Sequence, residues 1–341
     1  YKMLKLNALV AGSTGYIGVQ LIKLLVKHKN VNIKYLCGNT SVGKKISSFE
    51  RSLSSKKLPK IIRFDKKYLD HVDVVFTALP NGEAQDISKF LRKNNVLIDL
   101  AADFRLEKSS EYSKWYKQKH RAVNNIKKSI YSLPEITGNK IKKFNIIGCP
   151  GCYPTSILIP LIPLLKKKLI KIKNIIIDSK SGYSGAGRSV HKKYKNKNLY
   201  ESLSAYGVGF HRHNSEIEQE LKKYNKNIEF DFTPHLTPMF RGILSTIYID
   251  LSKNSSQLKI IKELKKFYKK CNFIKIQKRD KLISTNEVIN TNYCNISVCK
   301  SKNGSKLVIL SSIDNLIKGG AGQAIQNLNI KFNLPETTGI K

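Results

Sequence analysis

The segment that most constrains this chain lies near its start. Leu6-Asn7-Ala8-Leu9-Val10 is a short apolar run ending in Ala11-Gly12-Ser13-Thr14-Gly15-Tyr16-Ile17-Gly18. After it, Ile17, Leu21, Leu24 and Leu25 recur at helical spacing with polar residues between them. A brief apolar run bounded by glycine reads as a buried strand, and the 3.6-residue period beyond it reads as an amphipathic helix. Strand, glycine-rich turn and helix in that order make a phosphate cradle. Small residues let the backbone approach a pyrophosphate, and the helix N-terminus offers free N–H groups and a favourable dipole. The spacing G-x-x-G-x-x-G is one variant of the dinucleotide fingerprint, so Gly12, Ser13, Thr14, Gly15, Tyr16, Ile17 and Gly18 are the expected cofactor contacts.

The next apolar run, Asn32 to Cys37, reads as the second strand. An NAD site usually places a carboxylate near the end of this strand to hold the ribose hydroxyls. Here Gly38-Asn39-Thr40-Ser41-Val42-Gly43-Lys44-Lys45 follows, without a carboxylate. Hydroxyls and ammonium groups suit a 2′-phosphate, so NADP is expected, with Thr40, Ser41 and Lys44 as contacts. Val72 to Ala78 and Val96 to Leu100 read as further strands, separated by a helical segment, Ala84 to Lys93. The turn Leu79-Pro80-Asn81-Gly82 is placed to close over the cofactor through Leu79 and Pro80. Strands alternating with helices predict an α/β fold around a parallel, doubly wound sheet of Rossmann type.

A chain of 341 residues has room for about two domains with real cores. The formal net charge is +38, and only nine of the 62 cations are arginine. Phosphate neutralisation would reward such a surface, yet the lysines are spread along the whole chain. The densest runs, 166–168, 192–197 and 265–270, fall where solvated helix faces or loops are expected, without interleaved stacking aromatics. Nucleic acid is therefore not the expected partner, although anionic substrates would be steered toward the surface. The longest apolar run, Ile157 to Leu165, has nine residues and two prolines, whereas a bilayer crossing needs about 20. No membrane role and no export segment are expected, and the six cysteines fit a reducing cytoplasm better than a disulfide framework. Only Cys149-Pro150-Gly151-Cys152 is closely spaced, with no matching second pair of ligands, so no metal site is expected.

Phe144 to Gly148 reads as a strand running into Cys149-Pro150-Gly151-Cys152-Tyr153-Pro154-Thr155-Ser156. Pro154 suits a first helical turn, which puts Cys152 at or just before a helix N-terminus. The positive end of a helix favours a thiolate, the reactive form of cysteine. Three readings stand at this point: a nucleophile, a Cys-x-x-Cys redox couple with Cys149, or an inert core thiol. Four further segments carry chemistry-bearing side chains. They are Lys180-Ser181-Gly182-Tyr183-Ser184-Gly185-Ala186-Gly187-Arg188, His211-Arg212-His213-Asn214-Ser215-Glu216-Ile217-Glu218-Gln219, Phe232-Thr233-Pro234-His235 through Arg241-Gly242, and Asp314-Asn315 through Gly322 to Asn327. In a chain that favours lysine, Arg188, Arg212 and Arg241 fall in such segments, and Arg105 closes Ala101-Ala102-Asp103-Phe104-Arg105, the segment after the Val96 to Leu100 strand. A guanidinium binds carboxylate or phosphate through two parallel hydrogen bonds, which an ammonium cannot copy.

Taken together, these segments resemble the N-acetyl-gamma-glutamyl-phosphate reductases, relatives of aspartate-semialdehyde dehydrogenase. The resemblance runs from Gly12 to Asn327 and is most specific in Pro-Gly-Cys-Tyr-Pro-Thr, Ser-Gly-Ala-Gly-Arg and His-Arg-His. It implies an NADP-binding domain over about 1–148 with a C-terminal helical segment, 319–341. It also implies an α+β catalytic and dimerisation domain over 149–318, whose large mixed sheet carries the subunit contacts of a dimer or tetramer. By the same resemblance Cys152 is the nucleophile, and His213, then His211, supply acid/base and binding functions. Arg105, Arg188 and Arg212 would hold the anions of an acyl phosphate substrate, while Arg241 could equally brace a loop. Ser181, Gly182, Asn315 and Gly322 would complete the cofactor site. Two positions depart from the family: Cys149, where it reserves no cysteine, and Asn81, where many relatives carry histidine.

Overall fold

The computed structural model describes residues 5–188, 201–253, 255–302, 304 and 306–341. The lysine run 192–197 lies outside them, whereas Lys166, Lys167 and Lys168 are exposed, as expected of a solvated helix end. The chain divides into two compact units, Tyr1–Pro150 with Gly320–Lys341, and Gly151–Gly319. Among the described residues no helix is long and apolar enough to cross a membrane.

The first unit is built on a seven-stranded sheet. Its strands are β1 (Leu6–Ala11), β2 (Val31–Cys37), β3 (Ile61–Ile62), β4 (Val74–Thr77), β5 (Val96–Asp99), β6 (Ser129–Tyr131) and β7 (Ile146–Gly148), in spatial order β3-β2-β1-β4-β5-β7-β6. Every pairing is parallel. Parallel strands are covered on both faces, which is why β4 and β5 are buried at every position and apolar almost throughout. The crossovers carry α1 (Tyr16–Leu25), α2 (Glu83–Ser88), α3 (Ser109–Tyr116), α4 (Val123–Ile126) and α5 (Pro134–Thr137). Helix α2 is shorter than the apolar spacing from Ala84 to Lys93 suggests. Beyond Ser88 the chain turns, because Arg92 N donates to the Asn95 side chain (2.8 Å), whose amide donates to the Leu69 and Val72 carbonyls.

The second unit is an α+β arrangement on a mixed seven-stranded sheet, ordered β12-β13-β14-β11-β8-β10-β9. Its strands are β8 (Ile175–Gly182), β9 (Ser204–Ala205), β10 (Phe230–Thr237), β11 (Ile243–Ile249), β12 (Ile274–Ile276), β13 (Cys294–Lys300) and β14 (Leu307–Ile313). Its helices are α6 (Cys152–Lys166), α7 (His213–Lys222) and α8 (Gln257–Phe267). Helix α6 packs against α7, α8, β11 and β14, and its residues from Tyr153 to Leu165 are all buried. Pro160 and Pro163 lie inside it. Proline has no N–H to give the carbonyl four residues back, so Pro163 leaves the Ile159 carbonyl without its helical donor. The hydroxyl of Tyr268, a buried residue, donates to that oxygen instead. Burial and one supplied donor thus hold a helix that propensity alone would break.

The last helix, α9 (Gly322–Lys331), belongs to the first unit. It is buried from Gly322 to Asn329, and beside Ala324, Ile325 and Leu328 it carries Gln323, Gln326, Asn327 and Asn329, all inaccessible to solvent. Each buried amide must be satisfied. Asn327 accepts from Ser132 Oγ (2.7 Å), Gln326 donates to Glu135 (2.8 Å), and Asn329 donates to the Glu336 and Thr338 carbonyls (both 3.0 Å).

Candidate active site

Cys152 is the first residue of α6 and is partly exposed. The loop before it is fixed by hydrogen bonds on both sides of Gly151. The Gly151 N–H donates to Glu216 Oε2 (2.9 Å), and its carbonyl accepts from Thr155 N (3.0 Å) and Thr155 Oγ1 (2.9 Å). A side chain at 151 is excluded, because a Cβ there would come within 2.4 Å of His213 Nε2. Gly319 is constrained similarly: a Cβ there would lie 2.6 Å from the Cys152 Cβ. The thiol therefore stands at a helix N-terminus between two positions that admit only glycine.

Both histidines of the His-Arg-His segment belong to this cluster. His213 opens α7 and is mostly buried, packed on Gly151, with Nε2 3.7 Å from Glu216 Oε1. Glu216 itself is wholly buried and so touches both the loop before the thiol and the imidazole. His211 differs in character. Its Nδ1 accepts from His213 N (3.1 Å), and its ring meets Tyr153, Tyr206, Phe232 and His213 edge to face. Burial, helped by the Arg212 charge, pushes the His211 imidazolium down to about 4. His211 is thus neutral near pH 7, with its one ring proton on Nε2. The Tyr206 hydroxyl donates to Tyr153 Oη (3.1 Å). Tyr206 carries no local sequence signal, whereas Phe232 opens the segment that runs to Gly242. Glu216 was not singled out in the sequence either, although its place three residues after His213, one helical turn on, was a signal that could have found it.

Cys149 is fully buried, and burial pushes its thiol up to about 12. A redox couple needs an accessible, readily ionised thiol, and Cys149 offers neither. Among the described residues no three His, Cys, Asp or Glu side chains gather as a metal site would require.

In the first unit the glycine-rich turn has the geometry of a cradle. Gly12 has φ +85°, and a Cβ there would lie 2.2 Å from the Ala78 carbonyl oxygen. A Cβ on Gly18 would lie 2.1 Å from Gly12 O. Ser13 is buried, its hydroxyl donating to the Cys37 carbonyl (3.1 Å), so it ties the turn to β2. Gly15 caps α1 without any side-chain hydrogen bond, which leaves the helix end to an anion. Thr14, Tyr16 and Ile17 are partly exposed around it. Beside the turn lies a cavity of about 290 Å³, lined among others by Gly12, Gly38, Asn39, Arg63 and Leu79. These features fit a dinucleotide. Of the residues after β2, Thr40 and Lys44 are exposed and Ser41 is buried in a turn; none of them lines the cavity, nor does Pro80. Asn39 and Arg63 do line it. Arg63 escaped the sequence reading because it follows the two-residue strand β3, too short to show a period.

The remaining expected residues fall in several places. Ser181, Gly182 and Asn315 come together in the second unit, where Asn315 accepts from Gly242 N (2.7 Å) and donates to Ser184 Oγ (3.0 Å). Gly322 opens α9. Arg105 is buried in the first unit, its guanidinium donating to the Cys149 carbonyl (2.8 Å) and the Leu100 carbonyl (3.0 Å). It ties the ends of β5 and β7 together. Arg188 and Arg212 are exposed. Arg241 braces a loop, pairing with the buried Asp314 at 3.1 Å and with Asn290 at 2.7 Å.

Residues 7–144 match a family model for the semialdehyde dehydrogenase NAD binding domain, and residues 152–315 one for the semialdehyde dehydrogenase dimerisation domain. The chain is 42% identical, over 98% of its length and 97% of the relative's, to the N-acetyl-gamma-glutamyl-phosphate reductase of Ehrlichia ruminantium. The chain belongs to the N-acetyl-gamma-glutamyl-phosphate reductase family. A probable chloroplastic N-acetyl-gamma-glutamyl-phosphate reductase from Arabidopsis thaliana is 41% identical over 96% of this chain and 82% of its own. Among solved structures, aspartate semialdehyde dehydrogenase II from Vibrio cholerae superposes with a TM-score of 0.71 at 16% identity, covering 96% of this chain and 98% of that one. The reductase family thus shares its fold with aspartate semialdehyde dehydrogenase, as the sequence motifs implied.

Proposed function

We propose that this chain reduces N-acetyl-L-glutamyl 5-phosphate to N-acetyl-L-glutamate 5-semialdehyde and phosphate, using NADPH and a thioester on Cys152. The observation that carries the reading is the seat of Cys152, first residue of a 15-residue helix, in a loop held by Glu216 against His213. The helix end favours the thiolate. Its sulfur attacks the acyl carbon, the C–O bond to phosphate breaks, and the acyl group is held as a thioester, which divides one difficult step into two. NADPH, when bound, supplies the hydride that converts the thioester to a thiohemiacetal. Backbone N–H groups at the start of α6 are the donors we assign to the oxygen of each tetrahedral stage.

Collapse of the thiohemiacetal needs a base for its hydroxyl proton while the C–S bond breaks. We assign that role to His213, since Glu216 stands ready to stabilise the imidazolium that forms. His211, neutral and committed through Nδ1 to the His213 backbone, orients its neighbour. We assign substrate anions to Arg188 and Arg212, and to Arg105 a share in holding the loop that leads to Cys152. For the cofactor we assign the Gly12–Gly18 turn, Leu79 and Pro80, with Thr40, Ser41 and Lys44 joined by Arg63 for the 2′-phosphate. Gly322 belongs to the same domain, and Ser181, Gly182 and Asn315 complete the set. In this division 1–148 and 319–341 bind cofactor and 149–318 perform catalysis. The dimerisation-domain match supports a homodimer or homotetramer. The six free thiols support a cytoplasmic enzyme.

The test runs the reaction backwards, following NADPH formation from NADP and N-acetylglutamate semialdehyde with and without phosphate. Phosphate-dependent turnover is expected, faster than with aspartate semialdehyde. Cys152→Ser should abolish it while NADPH binding persists, and turnover retained in that variant would contradict the nucleophile assignment.

A further inference from the structure

The turn after β5 contains a buried carboxylate that the proposed chemistry does not use. Asp103 is inaccessible to solvent and accepts from five donors. They are Gly82 N (2.7 and 2.9 Å to its two oxygens), Ala84 N (3.0 Å), Gln85 N (3.3 Å), Gln85 Nε2 (3.0 Å) and the Tyr112 hydroxyl (2.6 Å). A second buried carboxylate, Asp99, accepts from Asp103 N (3.0 Å), Phe104 N (3.2 Å) and Thr77 Oγ1 (2.7 Å). Burial, then the neighbouring charge of Asp103, pushes the Asp99 carboxyl up from its usual range. Placing two carboxylates side by side in a core is costly, and only a specific geometry offsets it.

That geometry is centred on Gly82. Its N–H is held by Asp103, and its carbonyl accepts from Arg121 Nη2 (2.7 Å). Arg121 also grips Asp86 of α2 through Nη2 (2.6 Å) and Nε (3.2 Å), while its backbone N–H donates to Gln85 Oε1 (2.6 Å). Gly82 has φ +97°, and a Cβ there would press on the Arg121 guanidinium at 3.0 Å. Both peptide groups of this one residue are therefore clamped. The stretch it anchors supplies Leu79, Glu83, Asp86 and Ile87 to one wall of the 290 Å³ cavity beside the Gly12 turn.

We infer that Asp103 and Arg121 are positioning residues for the cofactor, clamping Gly82 from its two sides so that Leu79 to Ile87 form a fixed wall of the dinucleotide cavity. The inference rests on reading that cavity as the cofactor site. Only a carboxylate suits position 103, because an asparagine would turn an NH₂ group toward N–H donors. Only a planar fork suits position 121, because it serves a carbonyl and a carboxylate at once.

The test compares wild type with Asp103→Asn, Arg121→Lys and Tyr112→Phe. It measures Kd for NADPH by cofactor fluorescence, KM and kcat at saturating acyl phosphate, and Tm. Asp103→Asn should raise Kd and KM for NADPH by about 10- to 100-fold, with kcat at saturating NADPH nearly unchanged. Arg121→Lys should raise them by about 3- to 10-fold, and Tyr112→Phe by less. A merely structural role would lower Tm and leave Kd alone, and that result in Asp103→Asn overturns the inference. Should Asp103→Asn not fold, unchanged Kd in both Arg121→Lys and Tyr112→Phe overturns it equally. Wild-type protein that does not bind NADPH overturns the cofactor reading and the inference with it. Tight wild-type binding with unaltered variants overturns the inference alone.

Discussion

The helix that carries the thiol makes a quantitative prediction about its own integrity. Pro163 deprives the Ile159 carbonyl of a helical donor, and the buried Tyr268 hydroxyl serves it. Tyr268→Phe removes one oxygen and leaves the ring to pack as before, so its cost is that of an unsatisfied buried carbonyl, about 1–3 kcal/mol. For a domain of this size that corresponds to a fall in Tm of about 3–10 °C. The decisive comparison repeats the change in a Pro163→Ala background. Alanine returns the N–H to Ile159, the tyrosine hydroxyl becomes redundant, and the cost of Tyr268→Phe should fall below about 1 kcal/mol. Urea unfolding of the four proteins, at constant m-value, closes the cycle. An equal cost in both backgrounds would refute the account, since the hydroxyl would then owe its value to something other than the proline gap.

Four further outcomes are expected. His213→Asn should lower kcat by about 10²- to 10⁴-fold, the range for a lost acid/base group, while His211→Asn should cost far less; a rise in KM alone would make His213 a binding residue. Glu216→Gln keeps an acceptor for Gly151 N but removes the charge beside His213, so the acidic limb of the pH–rate profile should move to lower pH; an unmoved limb would leave Glu216 a loop brace only. The His211 imidazolium is disfavoured in the folded state by burial and by Arg212, down to about 4. The unfolded chain therefore binds the extra proton, and stability should be complete above about pH 6.5 and decline toward pH 4, by a total of order 3 kcal/mol. In His211→Phe, pH-dependent unfolding should flatten across that window. Cys149→Ser should leave turnover intact, because that thiol is buried and pushed up to about 12; a damaged enzyme would revive a redox role.

Much of this molecule was written in local sequence. The Gly12–Gly18 turn, the parallel αβ alternation, and Cys152 at the start of a helix all depend on residues a few positions apart. Steric limits on φ, hydrophobic period and helix-end chemistry act at that range, so spacing revealed them.

What the amino-acid order alone left open was how side chains distant along the chain would share donors and acceptors. It put His213 ahead of His211 without a geometric ground, and only the packed structure commits His211 Nδ1 to a backbone amide and sets Glu216 beside His213. It presented four arginines of one type, of which Arg105 and Arg241 prove to hold their own protein's carbonyls and carboxylates. It gave no warning that a helix with two internal prolines would stand, or that Arg121 and Asp103 would meet at Gly82. Those outcomes turn on burial and on which polar group reaches a buried partner, and both exist only once segments remote in the chain have come into contact.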